Sequence, residues 1–303
     1  MDDLKDIRDD QIRIIGEDRV EKRSHRKLLI TILSIVGIGL IVGIILFISH
    51  QKEVNNQELK RPEPSLFEPE SVTTPKKEPK EIKRIGQQPD STVSGYTEIK
   101  DTTINDIPME IFIPYNAEMT LQIGRLNKKD KSIIYAAQAA DVRADNGEIV
   151  GAFVIKGEAK ANGLSKKGYC ASIDGEVTIG VAEISPLFEK ATEKKGYFFR
   201  QYPLVSNGRV VENMLRGKSI RRAICDRHGE IFMVETGTKE SFHDFSQALV
   251  DLGVDQAVYL VGSNAYGWAV DKDGTKHEFG DENIYSERRQ MPKNTSYIVW
   301  KKK

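Results

Sequence analysis

The residues best equipped for chemistry in this 303-residue chain follow an apolar run near its carboxyl end. Gly262-Ser263-Asn264-Ala265-Tyr266-Gly267-Trp268 places a hydroxyl, an amide and two aromatic rings directly after the run 256–261. A sugar lays its C–H face on an aromatic ring and hydrogen-bonds to hydroxyls and amides, so this loop is a ligand candidate. Tyr266 and Trp268 would equally serve to cap a core. Arg221 opens the strand-like run 221–225, and an arginine turned inward from a strand needs a partner. Other arrangements are poorer. Cys225 and His228 surround what reads as a hairpin tip, where their side chains need not converge on a nucleophile. The five histidines show no ligand spacing, and Asp271-Lys272-Asp273-Gly274 lacks the remaining ligands of a calcium loop. Neither a metal nor a cofactor is expected. Cys170 and Cys225 are too few for a disulfide scaffold, and the sequence leaves open whether they pair or remain buried thiols.

These residues need a scaffold, and from about 93 to 303 the texture is mostly that of strands. Runs rich in β-branched and aromatic residues recur at 109–115, 119–124, 149–157, 169–173, 176–182, 197–205, 221–225, 230–236, 256–261, 266–270 and 296–300. Asp174-Gly175, Asn207-Gly208, His228-Gly229 and Asp273-Gly274 are turn signals between them. Helices are fewer. Phe242, Phe245, Leu249 and Leu252 form one stripe, with Ser241 as N-cap and Gly253 as the stop. A second helix is expected over 186–194 and a third over the alanine-rich 132–142. The sum is an α+β fold: a sheet-dominated mixed domain with a few packed helices.

Ahead of it the composition changes twice. Residues 28–48 are uncharged and nearly all aliphatic, long enough at 1.5 Å per residue to cross a bilayer of roughly 30 Å. They predict one transmembrane helix (28–49) in contact with the lipid bilayer. Arg19, Lys22, Arg23, Arg26 and Lys27 before it put the amino terminus in the cytoplasm and the later residues outside, in a bacterial periplasm or at the cell surface. Gly39 and Gly43 have the spacing of a weak homodimer face. Residues 1–27 read as a cytoplasmic tail, and the Pro-, Glu- and Lys-rich stretch 50–92 as a disordered linker to the domain 93–303. Basic and acidic residues number 45 each, a balance that argues against a nucleic-acid partner.

The order of pieces AFVIKGE (152–158), FFRQYPLVSNG (198–208), RRAIC (221–225), a capped helix and YLVGS (259–263) resembles the phosphodiester glycosidase family. The resemblance covers roughly residues 109 to 300. In that family a central strand ends in Asn-Gly-Gly, an Arg-Thr-Ala-Ile-Gly strand follows, and a later strand ends in Leu-Asp-Gly-Gly. Here Lys156-Gly157-Glu158 and Val261-Gly262-Ser263 stand in those places, so the family's acidic residue is replaced by Val261.

The resemblance implies a glycan or sugar phosphodiester ligand and places Arg221 at the family's arginine; Glu158, one residue beyond the glycine, is the carboxylate that could substitute for the lost acid, making Glu158 and Arg221 the expected catalytic pair. Glu158 would supply a carboxylate near the anomeric carbon, and Arg221 would grip the leaving phosphate with two parallel hydrogen bonds. Lys156, Arg200, Ser263, Asn264, Tyr266 and Trp268 would bind the substrate. Two functions follow: hydrolysis of glycosyl phosphodiesters, or a catalytically lapsed glycan-binding or envelope-assembly module. The loss of acid at Val261 favours the second.

Overall fold

The computed structural model describes residues 83–285 and 290–303. Its strands in chain order are β1 (Tyr96–Ile104), β2 (Ile107–Tyr115), β3 (Ala117–Ile123), β4 (Ile133–Gln138), β5 (Ala152–Ile155), β6 (Glu158–Asn162), β7 (Gly168–Ile173) and β8 (Glu176–Val181). After helix α1 (Leu187–Glu193) come β9 (Tyr197–Gln201), β10 (Pro203–Ser206), β11 (Arg209–Val210), β12 (Arg222–Arg227) and β13 (Glu230–Thr236). Helix α2 (Phe242–Asp251) precedes β14 (Gln256–Leu260), β15 (Gly267–Val270), β16 (Lys276–Phe279) and β17 (Ser296–Lys302).

The strands form three sheets, ordered β1-β2-β13-β12-β14-β10-β11, β16-β15-β4-β17-β3 and β6-β5-β9-β7-β8. The turn pairs explain much of the connectivity. Asp174-Gly175, Asn207-Gly208 and His228-Gly229 each place two successive residues at positive φ, the backbone of a two-residue hairpin, and they join β7–β8, β10–β11 and β12–β13. The run 197–205 breaks at Tyr202, so β9 and β10 belong to different sheets.

The central strands of the seven-stranded sheet are buried on both faces, and period-two alternation shows it. Phe112, Ile224, Met233, Val258 and Leu260 point into a core shared with the other two sheets. Their chain neighbours Ile111, Ile113, Ala223, Phe232, Val234, Ala257 and Tyr259 point the other way, onto Phe242, Phe245, Ala248 and Leu249 of α2. Each fully buried Phe or Leu there contributes about 1.5–3 kcal/mol. Helix α2 starts as its sequence indicates, with the Ser241 Oγ accepting from the Asp244 N–H at 3.0 Å. Cys170 lies in the first core and Cys225 in the second, both buried and both free.

Two expectations of the fold class are corrected. The described residues form a three-sheet β architecture with two short helices, not the expected α+β mixture. The helix expected over 132–142 is strand β4, wholly buried and paired with β15 on one side and β17 on the other. A strand covered on both faces is apolar at every position, so it shows no period that would separate it from a buried helix. No helix among the described residues is long and apolar enough to cross a membrane. The stretch 28–48, with Gly39 and Gly43, lies outside the described residues, as does the tail before it.

Ten residues of the expected linker are described, and side chains hold them on the seven-stranded sheet. The buried Glu230 carboxylate accepts from the N–H groups of Ile85 (2.9 Å) and Gly86 (2.7 Å). The Tyr115 hydroxyl donates to the Gln87 carbonyl at 3.0 Å, and Asn116 donates to the carbonyls of Asp90 and Val93.

Candidate functional site

The expected site residues are not gathered in one cavity. Lys156 and Gly157 have φ of +49° and +81°, and they form a two-residue turn between β5 and β6 rather than the end of a central strand. Glu158 therefore opens β6, an edge strand. Its side chain is 72% exposed and paired with Lys160 at 2.5 Å. The strand end that adjoins Val261 is that of β4: the Val261 N–H donates to the Gln138 carbonyl at 3.0 Å.

Arg221 lies on the α2 side of the sheet. It is buried, donates to the carbonyls of Glu240 (2.8 Å) and Gly217 (2.7 Å), and its guanidinium sits 4.2 Å from the Phe242 ring centre. Ser263 is close by, its N–H donating to the Ile220 carbonyl at 2.8 Å. That close passage requires Gly262, where a Cβ would fall 2.2 Å from the Ile220 oxygen. Arg200 is also buried, and it donates to the carbonyls of Lys166, Ala182 and Glu183. Burial lowers its pKa. Its bonds clamp backbone.

The aromatic loop divides. Trp268 is buried in a small core with Ala136, Tyr297 and Val299. Tyr266 is half-buried and donates to Glu278 at 2.6 Å, and burial and that carboxylate push its hydroxyl pKa up. Together they line a space of about 60 Å³, too small for a sugar residue. The carbonyl of Asn264 accepts from the Asp281 N–H.

A larger space lies where β3, the free edge of its sheet, approaches β5, β6 and β9. This groove of about 710 Å³ is lined by Lys156, Lys160, Lys301, Tyr197, Gln122 and Glu118, among others. Burial and the nearby Glu118 carboxylate raise the Tyr197 pKa, so the ring is present as a neutral phenol. A second space of about 490 Å³ shares Ile123, Lys160 and Asn294 with it and continues to Arg143, Glu148, Asn162 and Ser165. Lys156 has no carboxylate partner among the described residues, while Lys301 is 3.5 Å from Asp130. Of the groove, the sequence pointed to Lys156 alone.

A half-buried ion pair was also not foreseen. Lys166 reaches Asp141 and the Gln201 amide oxygen (2.8 Å) and lies 3.8 Å from the Tyr202 ring centre. Burial lowers its pKa against the pull of Asp141. It is held from the other side by Arg200, which binds its carbonyl.

No family model matches the chain, and no curated protein matches it in sequence. Among solved structures, one similar chain is the zebrafish N-acetylglucosamine-1-phosphodiester alpha-N-acetylglucosaminidase catalytic domain auto-inhibited by its pro-peptide. It is 12% identical, with a TM-score of 0.49, over 69% of this chain and 83% of that one. Another is a hypothetical protein from Synechocystis, 11% identical with a TM-score of 0.45, over 69% of this chain and 62% of that one. What these comparisons give is a distant likeness at the level of the fold.

Proposed function

We propose that this domain binds saccharides without hydrolysing them, through the groove between β3 and β5–β6. The observation that carries this reading is the lining of that groove: a tyrosine ring, three lysines and polar amides surround a volume that accepts several sugar residues, and of its described lining residues Glu118 alone is acidic, with Glu148 in the adjoining space. Glycoside hydrolysis ordinarily needs two carboxyl groups facing across the scissile bond. Val261 carries none, and Glu158 opens β6 while Arg221 precedes β12 of another sheet, its guanidinium committed to backbone carbonyls.

The test uses the full chain, titrated with a panel of oligosaccharides and, separately, incubated with a chromogenic sugar phosphodiester. Saturable binding lost in Tyr197→Ala, with no colour release, is the expected result. Turnover that disappears in both Glu158→Gln and Arg221→Ala would replace this reading with the hydrolase.

A further inference from the structure

We infer that the ligand of this groove is a linear, anionic saccharide chain, bearing carboxylate or phosphate groups, that runs through both connected spaces. The inference rests on the groove being a saccharide site, and it adds the charge and the length of what binds there.

The charge follows from four cations set against the two lining carboxylates, Glu118 and Glu148, and from how each cation is neutralised. Lys156 is presented at one end by a turn that cannot shift easily: a Cβ on Gly157 would fall 2.7 Å from the Thr192 carbonyl of α1. Lys160 lines both spaces at their junction, and Arg143 lines the far one. Three of the four cations have carboxylates beside them, two of which are replaceable. Glu158 on Lys160 is 72% exposed, Asp145 on Arg143 is 61% exposed, and Asp130 is 3.5 Å from Lys301. The two exposed carboxylates contribute little, so a ligand anion can take over Lys160 and Arg143 while Glu158 and Asp145 turn to water; Asp130 is half-buried and stays with Lys301. Lys156 has no such partner to lose.

The length follows from the continuity of the two spaces through Ile123, Lys160 and Asn294. A single sugar phosphate would use one cation and leave the rest of the groove wet. A chain with repeated anions engages Lys156, then Lys160, then Arg143, while Tyr197 offers a ring face and Asn162 and Asn294 meet hydroxyls.

Glu158 then acts as an internal competitor for Lys160, and this gives the sharpest test. Full-length protein is titrated with tetragalacturonate, with a phosphodiester-linked hexose oligomer and with a neutral galactan tetraose, at low and high salt. The expected result is anionic chains binding at least tenfold more tightly than the neutral one, with affinity falling as salt rises. Lys156→Glu and Lys160→Glu should abolish that preference. Glu158→Gln should tighten anionic binding by about two- to five-fold, the scale of one exposed ion pair. The two anionic probes distinguish carboxylate from phosphate recognition. Equal, salt-insensitive binding of neutral and anionic chains would overturn this inference and leave the saccharide site standing. Binding of no saccharide would overturn both. Anionic binding unaffected by the lysine variants, or weakened by Glu158→Gln, would overturn the assignment of the groove. Circular dichroism of each exposed-site variant confirms that it is folded.

Discussion

Arg221 and Arg222, successive in the chain, project from opposite faces of the seven-stranded sheet. Arg221 turns toward α2 and stacks on Phe242, while Arg222 is fully buried on the other side, where it pairs with Glu235 and donates to the Val261 carbonyl at 2.9 Å. The two therefore do different work. Arg222→Ala leaves Glu235 enclosed without its counter-ion and should cost about 3–5 kcal/mol. Arg221→Ala loses two neutral-acceptor hydrogen bonds and the ring contact, and should cost about 2–4 kcal/mol. Urea unfolding of both variants checks the order; a smaller loss for Arg222→Ala would contradict the account.

Glu110 stands directly opposite Glu235 across β2 and β13, and opposite Asp101 across β1 and β2. Burial, then these two carboxylates, raise its pKa above the usual value. A carboxyl group whose folded pKa is raised binds more protons folded than unfolded. Its neutral form therefore contributes stability that is present below the unfolded pKa and is lost as pH rises through the folded one. Glu110→Gln removes the repulsion and should stabilise the protein at pH 7 by up to about 1 kcal/mol. The gain should vanish near pH 4 and below. Thermal melts of wild type and variant across that range read it directly.

The two cysteines sit on opposite sides of a sheet, and burial raises both thiol pKa values. Native protein should react with a thiol reagent such as dithionitrobenzoate only as fast as it unfolds, releasing two equivalents in denaturant. The melting temperature should be unchanged by reductant. Rapid labelling of the native chain would contradict this placement.

Gly262→Ala should be destabilising because the new methyl meets a backbone oxygen rather than a movable side chain. The Ser263–Ile220 hydrogen bond would have to lengthen, and a loss of about 1–3 kcal/mol is expected from chemical denaturation. Gly274→Ala offers the contrast, since its cost comes from its positive φ alone, with open space around the Cβ position.

Much of the scaffold could be read before the structure, and the failures have physical causes. Helix α2 was legible because a cap, a stripe and a stop all agreed. The Asp-Gly, Asn-Gly and His-Gly hairpins were legible because those residues accept positive φ. Lys156-Gly157 was missed because lysine is not a usual first residue of such a turn, although Gly157 was the clue. β1 escaped because Tyr96–Ile104 alternates with charged and hydroxyl residues. β4 was mistaken because Ala136, Ala137, Ala139 and Ala140 suggested a helix, whereas small residues there let neighbouring layers approach. The groove could not have been assembled from sequence. Its lining comes from β3, β5, β6, β9 and β17, segments that only tertiary packing brings together.

The fastening of residues 84–86 to Glu230 fixes where the chain can be cut. A fragment beginning after Val93 would strip an enclosed carboxylate of both amides that satisfy it and uncover the flank of Tyr115. An autonomous piece must therefore retain Lys83, whose carbonyl accepts from Arg227, and any recombinant version trimmed past Ile85 would carry a defect in its central sheet unrelated to ligand recognition.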